Sequence, residues 1–125
     1  MTKRAVSTDK IAPPVGPFSA GIIGTPALYL SGQIGLDPRT ATLVVGDVTD
    51  QTDQVLQNVQ AVLDAAGRTL SNVIKINVYL ADMRDFAAMN AAYERHFEAP
   101  YPARTTIQAA GLPLGALVEM EIIAE

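Results

Sequence analysis

The stretch that most limits the fold runs from residue 47 to residue 97, where the hydrophobic spacing changes twice. In "DVTDQTDQVLQNVQAVLDAAG", Val55, Leu56, Val59, Val62, Leu63 and Ala66 return at helical spacing and form one apolar stripe. In "VIKINVYL", residues 73–80, Ile74, Ile76, Val78 and Leu80 alternate with Lys75, Asn77 and Tyr79. That period of two belongs to a strand with one apolar and one mixed face. In "DMRDFAAMNAAYERHF" helical spacing returns through Phe86, Met89, Tyr93 and Phe97. Thr49 or Asp50 suits the start of the first helix and Gly67 its end; Asp82 suits the start of the second and Pro100 its end. A strand set between two helices can pair in parallel through a helical crossover, so a layered α+β arrangement follows.

The remaining strands lie outside this block. "ALYLSGQI" reads as a strand ending in Ser31-Gly32, with Phe18 to Ile22 pairing against it, and "TLVVGD" is a weaker strand. The Pro-bracketed loop in "YPARTT" leads into a strand from Arg104 to Ala109, and "ALVEMEIIAE" alternates again. The terminal hairpins are expected to be antiparallel, giving a mixed sheet with two helices on one face. Its other face then carries Lys75, Asn77, Tyr79, Glu119, Glu121 and Ile123. Mean hydropathy is +0.20 although only 6% of residues are aromatic. A surplus of apolar residues beside an uncovered sheet face points to burial between subunits.

With 125 residues the chain is expected to form a single domain, 1–125, with 1–12 as a flexible stretch. No apolar run approaches the roughly 20 residues of a membrane span, and the N-terminus lacks an apolar signal core, so a cytoplasmic location without membrane contact is expected. The absence of cysteine removes disulfides, thiol nucleophiles and thiolate metal sites. Nine Lys/Arg stand against thirteen Asp/Glu and are scattered, so no nucleic-acid partner is expected. One histidine, His96, cannot build a histidine metal site, and it suits the C-terminal end of the second helix. The glycines lack the spacing of a phosphate loop.

What is left is charge. Arg104 offers a rigid fork of donors matched to a carboxylate, although a solvated strand arginine fits the same spacing. Glu119 and Glu121 read as an outward stripe, and Ser31-Gly32 as a strand end.

Six segments together resemble the RidA/YjgF family, the reactive-intermediate deaminases, whose older labels include L-PSP endoribonuclease and translation initiation inhibitor. They are "VGPFSAG", "SGQIGLDPRT", "NVQAVLDAAG", "VIKINVYLADMRDFAAMNAAYERHF", "YPARTT" and "VEMEIIAE", in order from about Pro13 to Glu125. The resemblance implies a chorismate-mutase-like fold assembled as a homotrimer around an inner β-barrel, with clefts between subunits. It implies hydrolysis of 2-imino acids, such as 2-iminopropanoate, to 2-keto acids and ammonia without a cofactor. Arg104 matches the family's carboxylate-binding arginine, and Glu119 its water-positioning acid. Ser31 and Gly32 match residues lining the cleft, and Asn90 an asparagine near it. Thr106 matches a position whose backbone N–H contacts ligand. Phe18 stands where deaminating members carry a tyrosine, which favours a non-catalytic carboxylate sensor as the alternative. Glu119, set in a subunit cleft, would have its pKa raised by desolvation and lowered by a nearby Arg104.

Overall fold

The computed structural model describes residues 3–24 and 27–125. Among the described residues, eight strands and two α-helices follow in chain order: β1 (Arg4–Val6), β2 (Gly21–Ile23), β3 (Leu28–Ile34), β4 (Leu36–Asp37), β5 (Thr42–Leu43), α1 (Val48–Ala65), β6 (Val73–Leu80), α2 (Phe86–Glu94), β7 (Ala103–Gln108) and β8 (Val118–Ala124). Six of the strands form one mixed sheet in the order β1-β2-β3-β8-β6-β7, and β4 and β5 form a small hairpin beside it. The N-terminal stretch expected to be flexible thus contributes β1, paired antiparallel with β2.

β6 and β7 run parallel across the α2 crossover, as a strand between two helices requires. The expected hairpin between the last two strands does not form. β8 inserts between β3 and β6, antiparallel to both. The sequences explain the exchange: Val118, Met120, Ile122 and Ala124 alternate along all of β8 and are buried, which suits a central strand. β7 carries Arg104, Thr105, Thr106 and Gln108 and remains at the edge.

Both helices cover the same sheet face. Val55, Leu56, Val59, Val62 and Leu63 of α1, with Met89 and Tyr93 of α2, pack on Leu28, Leu30, Ile76, Val78, Leu80, Met120 and Ile122 in one core. Truncating one of the fully buried leucines to alanine costs about 2–5 kcal/mol. A domain of this kind has only about 5–15 kcal/mol of net stability.

Local departures from the sequence reading have identifiable causes. The N-cap of α1 is Asp47, whose carboxylate accepts the Thr49 and Asp50 amides, while Asp50 accepts the Asp47 amide in return. Asp50 is therefore the third helical residue of a capping box and not the cap itself. Gly67, at φ 72°, follows the helix end as expected. Asp82 caps a single 3-10 turn, Met83–Asp85, that leads into α2, and α2 ends at Glu94, well before Pro100. β3 does not stop at Ser31-Gly32; a bulge between Leu30 and Gln33 carries it on to Ile34. A second bulge, between Val73 and Lys75, buries Val73 and turns Ile74 outward.

Candidate active site

The register of the sheet sorts the candidate residues onto two faces. On β7, Arg104 pairs with Ile76 and Thr106 with Val78, so both lie on the helix-covered face. On β8, Glu119 pairs with Tyr79 and Glu121 with Asn77, on the uncovered face. The expected closeness of Arg104 and Glu119 is not met within one chain, because neighbouring side chains on a pleated sheet alternate and these two fall on opposite sides.

Arg104 sits at the open edge against α2. Its Nη2 donates to Asn90 Oδ1 at 2.7 Å, and its guanidinium lies 4.8 Å from the Tyr93 ring centre and 5.7 Å from that of Phe86. Aromatic faces attract a guanidinium and restrict its orientation. Among the described residues, no carboxylate lies within ion-pair distance of it. The Thr106 hydroxyl is buried without a hydrogen-bond partner, and burial pushes the Tyr93 pKa up against the opposing pull of the neighbouring Arg104 charge. An oriented fork of donors of this kind has the geometry to accept a carboxylate. Phe86 and Tyr93 had the helical spacing of core residues; their role as a sandwich for Arg104 depends on β7 lying beside α2.

The second group lines a cavity of about 590 Å³ on the uncovered side. Its floor holds Glu119, the Ser31-Gly32 bulge and Glu121, and its walls come from residues 11–15, Phe18, Ile34 and Leu114. Gly32 leaves room for the Glu119 carboxylate: a Cβ at this position would force the Glu119 side chain to shift. The Ser31 hydroxyl donates to the Ser19 carbonyl at 2.6 Å, tying the segment that carries Phe18 to the bulge. Phe18 itself lies outside β2 and is half exposed at the rim.

The two glutamates are driven apart electrostatically. Burial raises the Glu119 pKa first, and the Glu121 charge raises it further; Arg104 makes no contribution. Hydrogen bonds from Tyr79, then from Asn77, hold the Glu121 pKa below its ordinary value. Asn77 Nδ2 donates to Glu121 Oε1 at 2.9 Å, and the Tyr79 hydroxyl donates to the same oxygen. Two acids whose pKa values are pushed apart can divide proton donation and acceptance between them. Glu121, Asn77 and Tyr79 were read as an outward stripe; the available signal was that they share a strand face with Glu119.

Two buried amides of α1 hold the cavity walls. Asn58 Nδ2 donates to the carbonyls of Ile34 (3.2 Å) and Leu36 (3.0 Å). Gln51 Oε1 accepts the Leu117 amide at 2.8 Å, anchoring the loop before β8. Neither belongs to the apolar stripe, so hydrophobic spacing does not reveal them.

Comparison with known proteins identifies the family to which this fold belongs. A family model described as "Endoribonuclease L-PSP" matches residues 9–125. The RutC family protein PH0854 of Pyrococcus horikoshii is 45% identical, over 98% of this chain and 97% of that one. The human protein named 2-iminobutanoate/2-iminopropanoate deaminase is 40% identical, over 99% of this chain and 90% of that one. The crystal structure of RidA from a Psychrobacter species superposes with a TM-score of 0.93 at 40% identity, covering 97% of this chain and 98% of that one. With its sheet order, its two-helix layer and nearly its whole length matched, the chain belongs to the RidA/YjgF family.

Proposed function

We propose that the protein hydrolyses small 2-imino acids to 2-keto acids and ammonia, in a cleft shared by two copies of the chain in a homotrimer. The observation that carries this reading is Glu119, a carboxyl with raised pKa on the floor of a cavity, next to a glutamate held ionised. Relatives named 2-iminobutanoate/2-iminopropanoate deaminase support the reaction class. Arg104 cannot reach Glu119 through the sheet of its own chain, so the Arg104 of a neighbouring copy completes the cleft.

There Arg104 grips the substrate carboxylate through two parallel charge-assisted hydrogen bonds and fixes the imine carbon over Glu119. The Glu119 carboxylate takes a proton from water as the water oxygen bonds to that carbon, and the C=N electron pair moves to nitrogen. The protonated Glu119 returns its proton to the nitrogen, giving a carbinolamine; the carboxylate then takes the hydroxyl proton and passes it to the nitrogen as the C–N bond breaks, so ammonia leaves while the C=O bond forms. Thr106 offers its backbone N–H to the ligand, and Ser31 and Gly32 shape the floor. No cofactor takes part in these steps.

The test uses 2-iminopropanoate made in situ by an amino-acid oxidase, with ammonia release followed in time. Wild type accelerates release, and Arg104→Ala lowers kcat/KM by at least about a hundredfold while leaving the oligomer intact. Undiminished activity in that variant would remove Arg104 from the mechanism. A second reading, a non-catalytic sensor of small carboxylates, is favoured by Phe18, which lacks the hydroxyl of the family tyrosine. Thermal stabilisation by 2-keto acids without any turnover would select it.

A further inference from the structure

The walls of the Glu119 cavity differ in chemistry from its floor. Part of its lining is polar, Glu119, Glu121, Ser31 and Gln33, and part is apolar, Val15, Phe18, Leu114 and Ile34, the last paired with Glu119 across β3 and β8. Three of these are large apolar side chains left open to solvent: Val15 at 88%, Leu114 at 68% and Phe18 at 50% exposure. Their exposure is built in. Leu114 holds φ 56° and ψ 20°, a left-handed conformation that is an outlier for leucine. It sits between Pro113, whose ring fixes φ, and Gly115 at φ 73°. A strained bulky residue that presents its side chain at a cavity rim marks a contact to be made there.

We infer that Leu114, Val15 and Phe18 form a side-chain subsite that selects 2-imino acids bearing a branched aliphatic group of roughly four carbons over the methyl group of 2-iminopropanoate. The inference rests on the deaminase reading for the position of the reacting carbon. With the imine carbon over Glu119 and the carboxylate held by Arg104, the third substituent of that carbon is left the apolar part of the lining, and Leu114, Val15 and Phe18 form its end. A methyl group leaves that end wet; an isobutyl group displaces its water against leucine, valine and phenylalanine. Phe18 belongs to the same logic. A tyrosine hydroxyl in its place would put a polar group at the mouth, and the bare ring keeps the wall apolar.

Imines generated by an amino-acid oxidase from leucine and from alanine are compared, reading the ratio of their kcat/KM values. The ratio does not depend on the fraction of active protein. Wild type favours the leucine-derived imine by at least about tenfold. Leu114→Asn keeps a residue that tolerates the left-handed backbone and removes the apolar wall, so the ratio falls about fivefold. Calorimetric binding of 4-methyl-2-oxopentanoate and of pyruvate gives an arm independent of turnover. Equal kcat/KM for the two imines in wild type overturns the subsite and leaves deamination standing. Tighter binding of 4-methyl-2-oxopentanoate, lost in Leu114→Asn, with no turnover of either imine, overturns deamination and supports the subsite. Neither turnover nor binding preference overturns both. A Leu114→Asn variant with the wild-type ratio but a weakened oligomer assigns Leu114 to contact between copies and overturns its place in the subsite.

Discussion

Glu119 and Glu121 stand two residues apart on one strand face, and their neighbours give them opposite protonation preferences. Glu121 accepts hydrogen bonds from Tyr79 and Asn77, so its folded pKa lies below the ordinary 4.5. Its stabilising contribution is present above that ordinary value and is lost as pH falls through the lowered one. Glu119 has the opposite sign: burial favours its protonated form, a contribution complete below 4.5 and lost as pH rises through the raised value. Tyr79→Phe removes one hydrogen bond to the ionised Glu121 and little else. It should lower the thermal midpoint by a few degrees at about pH 7 and by less at about pH 4. A deficit of equal size at both pH values would show that only packing had been lost. The family resemblance singled out Arg104 and Glu119 in the sequence; by spacing alone both fit solvated strand charges. The perturbing partners were not visible. Tyr79 reaches Glu121 from another strand, and Tyr93 reaches Arg104 from a helix, contacts between residues far apart in the chain that spacing does not encode.

Elements were legible where periodicity ran unbroken. The apolar stripe of α1, the alternation of β6 and β8 and the parallel β6–β7 pair all follow from it. The bulges did not follow, because one extra residue inverts the alternation locally: Ile74 faces outward for this reason, and Ser31-Gly32 reads as an end where the strand merely bends. The cap of α1 was missed for a related reason. Asp47, Thr49 and Asp50 are all good capping residues, and only the backbone shows that Asp47 is extended and accepts two helical amides. This cap matters beyond the helix end, because α1 carries Gln51 and Asn58, whose side chains hold two walls of the Glu119 cavity. Asp47→Ala, measured by thermal denaturation at neutral pH, should lower the midpoint by a few degrees, whereas Asp47→Asn should recover most of the loss, since asparagine also accepts amide hydrogen bonds. Should asparagine prove as damaging as alanine, the capping role would be replaced by one that depends on charge.

At the scale of the whole molecule, the sheet has one finished face and one unfinished. Tyr29, Ile107, Tyr79 and Ile123 share the uncovered face with Lys75, Asn77, Glu119 and Glu121, and β7 leaves its outer edge unpaired within the chain. An exposed sheet face of this mixed character, bordered by an open edge strand, invites a second copy. The sequence announced an incomplete face through its apolar surplus, yet it could not say that the face divides the candidate site in two. Arg104, Asn90 and Thr106 lie on the side covered by helices, and Glu119, Ser31, Gly32 and Phe18 on the other. That division gives a test that no single-chain site could pass. Arg104→Ala and Glu119→Gln are each inactive as pure oligomers under the proposed mechanism. When the two are unfolded together and refolded as a mixture, some clefts pair the intact Arg104 of one copy with the intact Glu119 of its neighbour. For random assembly in a closed ring, each cleft draws its two contributions from different copies, so on the order of one quarter of wild-type activity should return. Refolding each variant alone controls for recovery of fold, and light scattering confirms that the mixture assembles as wild type does. Activity that stays at the level of the separate variants would place both residues in one chain's site, or one of them outside the reaction, and would overturn the shared cleft.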